Sequence, residues 1–499
     1  MASYVLGIDQ STQGTKALLF DEGGVLLARA DRAHRQIVND RGWVEHDPEE
    51  IYANVVASVA DVVEKAGIDR ADIACVGISN QRETSLVWDA DGRPVHNAIV
   101  WQDARATDVC ERVRAAGAAD LVRERSGINL SPYFPAAKLA WIRENVDGVA
   151  EGLASGAMRL GTVDAYLVYR LTHDASYRTD FSNASRTQLF DIDSLRWDED
   201  LCTAFGIPVA ALPEVSDSDA DFGTTDFEGF LPRPIPIHGV LGDSHGALLG
   251  QGCLRPGMVK ATYGTGSSVM MNVGEKRVTS GHGLVSSLAW KLGGTVEYVL
   301  EGNVNYSGAV ISWLKNDLRL IDDPGETDAL ARSANEADRT YVVPAFTGLG
   351  APYWDSDAVG VVYGMTRTTR RAELVRAALD GIGYQITDVL RAMEADSGVR
   401  LGELRVDGGP THNGYLMQFQ SDVARVPVAV SPTEELSGMG AAYAAGSGMG
   451  IYDVPSLVAG VERKVYEPER DEAWARTKYD GWKHAVSKAL SDEGTGDRS

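Results

Sequence analysis

Short apolar runs separated by turn residues alternate along the chain with longer segments in which apolar residues recur every three or four positions. The runs Val5–Asp9 and Ala17–Phe20, with the polar segment Gln10–Lys16 between them, predict a strand, a tight turn and a strand. A second hairpin of this kind is predicted from Met258 to Val273, around a turn at Gly264–Ser268. Because the two hairpins lie about half the chain apart, they indicate a weak internal repeat.

Helix signals occupy the segments between such strands. Asp47, Pro48 and the glutamates after them form a capping-box arrangement at a predicted helix start. From Leu374 onward, apolar residues keep helical spacing as far as Gly398, which is predicted to be the C-cap. The Gly- and Ala-rich segment 438–446 predicts a helix that packs closely against a sheet. This mixture of elements is typical of an α/β fold.

The length of 499 residues exceeds what one hydrophobic core organises. We therefore expect two domains, residues 1–250 and 251–499, with a cleft between them. The polar tail that follows Ser491 is expected to fray.

Charge and hydropathy restrict the location and the partners. The formal net charge of -24 disfavours nucleic acid and anionic lipid, and no segment approaches the roughly 20 apolar residues of a membrane span. The N-terminal residues lack the features of a signal peptide, so we expect a cytoplasmic protein. The four cysteines have neither metal-ligand nor C-x-x-C spacing, and they are expected to be buried apolar residues.

Two hairpin turns and a third loop carry candidate phosphate-binding chemistry. The segment Asp9–Lys16 combines a carboxylate, hydroxyls, backbone amides and a cation, which can bind phosphate oxygens and Mg²⁺, although an ordinary polar turn explains it equally well. The turn Gly264–Ser268 has the same two interpretations. The segment Arg405–Asn413 runs from a strand through two glycines into a predicted helix, Gly414–Val423, and can approach a nucleotide or form a simple turn. None of these loops has Walker-A or G-x-G-x-x-G spacing.

Longer strings narrow the function. They are Gly42-Trp43-Val44-Glu45-His46-Asp47-Pro48, Asn80-Gln81-Arg82-Glu83-Thr84, Ala98-Ile99-Val100-Trp101-Gln102, residues 179–186, residues 343–354 and residues 416–422. Two signature segments, residues 133–141 and residues 360–380, accompany them. Together with the three loops, these strings resemble the FGGY carbohydrate kinases across almost the whole chain, and within that family the glycerol kinases.

This resemblance implies two ribonuclease H-like, actin-like ATPase domains that flank an interdomain catalytic cleft. It implies ATP and Mg²⁺ as cofactors, a small polyol substrate that is phosphorylated to sn-glycerol 3-phosphate, and a homo-oligomer, either a dimer or a tetramer. The implied acceptor-site residues are Arg82, Glu83, Trp101, Tyr133, Asp243 and Ser244. The implied nucleotide-site residues are Thr12, Gln13, Lys16, Thr265, Gly308, Gly409 and Asn413, with Asp9 as a metal ligand.

Asp243 is the implied general base, which takes the proton from the attacking hydroxyl. On local sequence alone it could instead cap a helix that starts at Ala247. Arg82 and Glu83 can bind a vicinal diol, but an adjacent pair of this type is also typical of a surface ion pair.

Three serines depart from the pattern of glycerol kinases. Ser244 and Ser312 stand where glutamines are usual, and Ser268 stands where a phenylalanine usually closes the acceptor pocket. A kinase for a larger polyol or ketose, such as a tetritol or pentulose, is therefore the main alternative.

The segment Gly242–Gly246 also fits G-x-S-x-G, so a serine hydrolase that uses Ser244, with His282, His412 or His484 as the base, is a remote alternative. The third alternative is a nucleotide-binding switch protein that phosphorylates no acceptor.

Overall fold

The computed structural model describes residues 3–491 and has an α/β architecture built on two similar sheets. The tail after Ser491, which was expected to fray, lies outside these residues. Within residues 3–491, no helix combines the length and the apolar character that crossing a bilayer requires. All four cysteines are buried and free, as predicted.

The strands of the first half are β1 (Tyr4–Gln10), β2 (Gly14–Phe20), β3 (Leu26–Ala33), β4 (Ile37–Val38), β5 (Val44–His46), β6 (Ile73–Asn80), β7 (Ser85–Asp89), β8 (Ala98–Ile99), β9 (Met158–Thr162), β10 (Arg178–Asp180), β11 (Phe190–Asp191), β12 (Arg196–Trp197), β13 (Glu214–Ser216), β14 (Thr224–Thr225) and β15 (Ile235–Gly242). Its helices are α1 (Pro48–Ala66), α2 (Thr107–Ala115), α3 (Ala119–Ser126), α4 (Pro135–Asn145), α5 (Val149–Ser155), α6 (Val163–Leu171), α7 (Phe181–Ala184), α8 (Glu199–Phe205) and α9 (Asp243–Gly250).

The strands of the second half are β16 (Met258–Tyr263), β17 (Ser267–Gly274), β18 (Val285–Leu292), β19 (Thr295–Val304), β20 (Tyr341–Val343), β21 (Val361–Tyr363), β22 (Glu403–Asp407), β23 (Val428–Val430) and β24 (Lys464–Tyr466). Its helices are α10 (Gly308–Asn316), α11 (Glu326–Ser333), α12 (Arg371–Ser397), α13 (Gly414–Ala424), α14 (Leu436–Gly448), α15 (Val454–Ala459) and α16 (Glu472–Val486).

The two main sheets repeat one strand order. In the first sheet the order is β14-β15-β6-β1-β2-β3, with β1 antiparallel to β2 and parallel to β6. Read from the corresponding edge, the second sheet runs β24-β23-β22-β16-β17-β19-β18, with β16 antiparallel to β17 and parallel to β22. Each sheet therefore begins with a hairpin whose first strand pairs with a later parallel strand. The internal repeat predicted from the two hairpins is a repeat of topology.

Helix α14 connects the two halves. Although it lies between β23 and β24 of the second sheet in sequence, it packs against α9 and against β1, β6 and β15 of the first sheet. The approach is so close that a Cβ placed on Gly77 of β6 would lie 2.0 Å from the carbonyl oxygen of Ala441. The predicted helix at 438–446 and its close packing on a sheet are both confirmed.

Several predicted helix termini are confirmed and two local details are wrong. Helix α12 ends at Ser397 and has Gly398 as its C-cap, with a left-handed φ of 66°. Helix α1 has Asp47 as its N-cap, but the capping box does not form, because Glu50 accepts from the backbone amide of Arg35 instead. The predicted turn over residues 10–16 is shorter, because β2 already begins at Gly14.

Candidate active site

A cleft of about 710 Å³ lies between the two halves and collects most of the predicted site residues. Its lining consists of Thr12, Gln13, Gln36, Arg82, Glu83, Trp101, Gln102, Tyr133, Asp243, Ser244, Thr265, Gly266, Ser267, Ser268, Asn303, Val304, Asn305, Tyr306 and Thr347. The predicted residues Asp9, Lys16, Gly308, Gly409 and Asn413 are not part of this lining, and their positions are described below.

Asp243 lies at the junction of β15 and α9, where it is the first helical residue. Its carboxylate lies 3.2 Å from Nε of Arg82, and 32% of the side chain is exposed. One oxygen also accepts from the backbone amide of Ser244, at 2.6 Å. The alternative in which Asp243 caps a helix starting at Ala247 is wrong, because α9 starts four residues earlier. Asp243 therefore presents a carboxylate to the cleft at a helix N-terminus.

Arg82 and Glu83 follow β6 and are both buried, so the surface ion-pair interpretation is wrong. They also have different partners. Arg82 binds Glu301 in a bidentate manner, at 3.1 and 2.9 Å, whereas Glu83 accepts from Nε of Arg186 at 2.7 Å. Arg186 also contacts Glu301, at 2.7 Å. The four side chains form one buried network of two cations and two anions.

The electrostatics of this network fix its charge state. Burial alone would raise the pKa of Glu301, but the guanidinium groups of Arg186 and Arg82 outweigh burial and hold that pKa well below its usual value. Neither Glu301 nor Arg186 was predicted to act in the site. Arg186 ends one of the segments that carry the family resemblance, so a signal was present; Glu301 lies in β19, outside all of those segments.

Trp101 and Tyr133 form an aromatic wall of the cleft, with ring centroids 5.5 Å apart. The indole nitrogen of Trp101 donates to Oγ1 of Thr12 at 2.9 Å, which connects this wall to the first loop. Burial is the main cause that raises the pKa of Tyr133, so its phenol stays protonated. Behind the wall, the buried Lys138 donates to the carbonyl oxygens of Tyr133 and Pro132.

The first predicted phosphate loop is the tight β1–β2 turn. Thr12 and Gln13 lie at its tip and face the cleft. Lys16 lies within β2, directly opposite Asp9, and its ammonium group contacts Glu435 at 2.9 Å. In this structure the Lys16 charge is therefore balanced by a carboxylate of the second half of the chain.

Asp9 is a buried carboxylate at the end of β1. Burial is the largest cause that raises its pKa, to about 6; Lys16 opposes the shift, while Asp243 and Glu435 add to it. Among residues 3–491, no cluster of three or more His, Cys, Asp or Glu side chains has the arrangement of a preformed metal site.

The second and third loops meet at the start of α10. The amide of Gly308 donates to the carbonyl oxygen of Gly264 at 2.8 Å, and the amides of Ser307 and Ala309 both donate to the carbonyl oxygen of Thr265. A Cβ on Gly308 would lie 3.6 Å from Pro410, so the Gly409 loop is adjacent. The second and third loops therefore lie side by side and bring together Thr265, Gly308 and Gly409.

The third loop depends on glycine at one position. Gly408 has a φ of 96°, and a Cβ there would lie 2.1 Å from the carbonyl oxygen of Tyr263, so a side chain is excluded. The next residue, Gly409, is exposed, and a Cβ there would meet no protein atom within 4 Å. Asn413 is the N-cap of α13: its Oδ1 accepts from Leu416, and its Nδ2 donates to Thr327.

The hydrolase alternative finds no support in the structure. Ser244 lines the cleft after a strand-to-helix turn, but the three proposed bases have other partners. His282 contacts Asp396, His412 contacts the carbonyl oxygen of Gly409, and His484 packs against the ring of Tyr363. Among the described residues no hydrogen bond joins a histidine to the Ser244 hydroxyl. Of the other two divergent serines, Ser268 lines the cleft and Ser312 is exposed on α10.

Comparison with known proteins adds independent evidence. Residues 4–250 match the N-terminal domain, and residues 259–449 the C-terminal domain, of the FGGY family of carbohydrate kinases. The chain is 44% identical to a glycerol kinase of Bacillus velezensis over 98% of this chain and 100% of that protein. It is 45% identical to glycerol kinase 1 of Thermotoga maritima, with the same shares covered.

A solved structure gives the same result for the fold. The Plasmodium falciparum glycerol kinase with ADP superposes with a TM-score of 0.93 at 35% identity, over 98% of this chain and 99% of that one. The expected two-domain, actin-like kinase fold is thereby confirmed. The chain belongs to the FGGY family of carbohydrate kinases.

Proposed function

We propose that the chain transfers the γ-phosphoryl group of ATP to a terminal hydroxyl of glycerol and produces sn-glycerol 3-phosphate. The observation that carries this proposal is that Arg82, Glu83, Trp101, Tyr133 and Asp243 all line one cleft. Three charged groups and a tyrosine hydroxyl can bind the hydroxyls of a short polyol, while the aromatic wall packs against its carbon chain.

In the proposed reaction, Asp243 accepts the proton of the attacking hydroxyl. The oxygen of that hydroxyl forms a bond to the γ-phosphorus as the bond between that phosphorus and the bridging oxygen breaks, and ADP leaves with the bridging oxygen. The Arg82 guanidinium lies 3.2 Å from the Asp243 carboxylate and holds it in position for proton transfer. Most of the rate enhancement then comes from positioning and charge stabilisation, as in other phosphoryl transfers.

The nucleotide contacts are part of the proposal. Thr12, Gln13, Lys16 and Thr265 are assigned to the phosphates, and Gly308, Gly409 and Asn413 to the rest of the nucleotide. The contiguous packing of the second and third loops supports this assignment. Both amide atoms of Asn413 already have protein partners, so its side chain must exchange a partner, or its backbone must make the contact.

Mg²⁺ is proposed as the accompanying cation, with Asp9 as a ligand. The residues fit a hard cation, because Asp9 is a buried carboxylate with the carboxylates of Asp243 and Glu435 near it. A bound Mg²⁺ would neutralise phosphate charge.

We also propose that the enzyme acts in the cytoplasm, where ATP is available. We further propose that it forms a dimer or a tetramer, which sedimentation analysis would test.

A larger acceptor is the second candidate, and one observation favours it. Ser268, which stands where glycerol kinases usually have phenylalanine, lines the cleft with the polar side chains of Asn303 and Asn305. A smaller and more polar wall would accommodate a longer, more hydroxylated chain.

One experiment tests both candidates. ADP release would be measured for glycerol, erythritol, threitol, ribulose and xylulose, and kcat/KM compared. We expect glycerol to be preferred. A preference of more than about tenfold for a longer acceptor, roughly 1.4 kcal/mol of discrimination, would replace glycerol as the substrate. ATP hydrolysis that no acceptor stimulates would contradict kinase function.

A further inference from the structure

A buried lysine lies between the acceptor side and the nucleotide side of the cleft. Lys260, on β16, is only 1% exposed and has no role in the mechanism above. Along a strand, alternate residues share a face, so Lys260 and Thr262 point the same way. Thr262 is paired across the sheet with Ser268 on one side and with Asp407 on the other. One face of three neighbouring strands therefore carries a lysine, two hydroxyls and a carboxylate.

The hydrogen bonds on this face run in two directions from Lys260. Its ammonium group donates to Oγ1 of Thr262 at 3.3 Å and to Oγ of Ser268 at 3.4 Å. Thr262 in turn donates to Asp407 at 3.2 Å. Asp407 is the last residue of β22 and directly precedes the Gly408-Gly409 loop. Lys260 is thus two hydrogen bonds from the carboxylate that begins the nucleotide loop.

The other direction leads to the acceptor. The hydroxyl of Ser268 lies 3.5 Å from Oε1 of Glu301, at the limit of a hydrogen bond. The carboxylate of Glu301 is held by Arg82, and Arg82 contacts Asp243. A continuous series of polar contacts therefore joins the nucleotide loop to the general base through Lys260.

The charge of Lys260 is balanced by both ends of this series. Burial lowers the pKa of Lys260 and the Arg82 guanidinium adds to that shift, whereas Asp407, Glu301 and Asp243 oppose it. Its direct hydrogen-bond partners are neutral hydroxyls at long distances, so the compensation for burying the ammonium group comes from carboxylates further away. A ligand that moves the carboxylate at one end changes the net force on the ammonium group, and a displacement of that group changes its distance from the other end.

We propose that Lys260 is a positioning residue that couples nucleotide binding to acceptor binding, with Ser268 as its relay to the acceptor side. This inference rests on the proposed function, because it assigns the two ends of the series to ATP and to glycerol. It also gives Ser268 a role of its own: a phenylalanine at this position has no hydroxyl to accept from Lys260.

Calorimetry can measure this coupling directly. The Kd of glycerol would be determined with and without a non-hydrolysable ATP analogue, and the ratio of the two values is the coupling factor. In the wild-type protein we expect a factor of about 5 to 150, the usual range for coupled sites. In Lys260→Met and in Ser268→Ala the factor should fall below about twofold, with glycerol still bound.

Lys138→Met is the matched control, because Lys138 is also a buried lysine but is bound by backbone carbonyls behind the aromatic wall. It should weaken glycerol binding and leave the coupling factor intact, which a general effect of losing a buried lysine would not do. If Lys260→Met fails to fold, Ser268→Ala and Thr262→Val test the proposal instead. Each removes one hydroxyl from the series of polar contacts and leaves the Lys260 ammonium group in place.

The outcomes separate the two proposals. A wild-type protein that does not bind glycerol in either state would overturn the proposed function and this inference together. Glycerol binding with a coupling factor of one would overturn the inference and leave the function standing. Full coupling in Lys260→Met, in Ser268→Ala or in Thr262→Val would also overturn it.

Discussion

The acceptor side and the nucleotide side of the cleft consist of different kinds of residue. The acceptor side holds a buried network of charged side chains, in which Glu301 is completely buried between Arg82 and Arg186. The nucleotide side consists largely of glycine turns and helix starts, with Gly409 exposed and open to solvent. A rigid charged network can reject a ligand that leaves its groups unpaired, whereas backbone loops bind phosphates of many ligands. Substrate choice is therefore expected to depend on the acceptor side.

The largest effect is expected at Asp243, where the two sides meet. Asp243→Asn removes the proton acceptor and retains a side chain of similar size, so kcat should fall by about 10² to 10⁴. The affinity for ATP should change little, because the loss affects the chemical step. Steady-state kinetics and nucleotide titration would show both effects, and near wild-type turnover would rule out Asp243 as the base.

The next largest effect is expected within the charged network. Arg82→Ala should raise the KM for glycerol by about 10- to 150-fold, from the 1.5–3 kcal/mol of a hydrogen bond to a charged group. The KM for ATP should rise much less. As a control, Arg32→Ala removes an arginine that pairs with Asp61 on the surface, and it should change neither value. Equal increases for glycerol and ATP would indicate that Arg82 is purely structural.

This difference between the two sides also explains what could be predicted from sequence. The hairpins, α12 with its glycine C-cap and the glycine-rich α14 follow from local patterns, which depend on neighbouring residues. The partner of Arg82 does not, because Glu301 lies 219 positions away in the chain. A glutamate in a strand of mixed polar and apolar residues, such as β19, is compatible with an exposed edge or a buried ion pair, and only the pairing of β19 within the second sheet decides which. The burial of Lys260 on β16 likewise follows only from the pairing of strands in the second sheet.

The Gly409 loop allows a cleaner test of the nucleotide side. Because a Cβ at Gly409 would meet no protein atom within 4 Å, Gly409→Ala should leave thermal stability unchanged. If the nucleotide contacts this backbone, the KM for ATP should still rise, by about tenfold, or roughly 1.4 kcal/mol, while the KM for glycerol stays within about twofold. Gly402→Ala, where a Cβ also meets nothing, is the control and should have no effect. An unchanged KM for ATP in Gly409→Ala would remove Gly409 from the nucleotide site.

The smallest effect is expected at Asn413, whose helix-capping role and proposed nucleotide role can be separated by a matched pair. Asn413→Ala removes the N-cap of α13 and should cost about 1 kcal/mol of unfolding free energy. Asp471→Ala removes the N-cap of α16, where Asp471 accepts from the amide of Trp474 at 2.8 Å, and should cost a similar amount. Only Asn413→Ala should also raise the KM for ATP, by a few fold, because α13 begins directly after the Gly408-Gly409 loop. Denaturant titrations would give the two stabilities, and kinetics the two KM values. If both variants lose the same stability and neither changes the KM for ATP, Asn413 serves α13 alone, and the nucleotide side would consist of fewer side chains than the family resemblance implies.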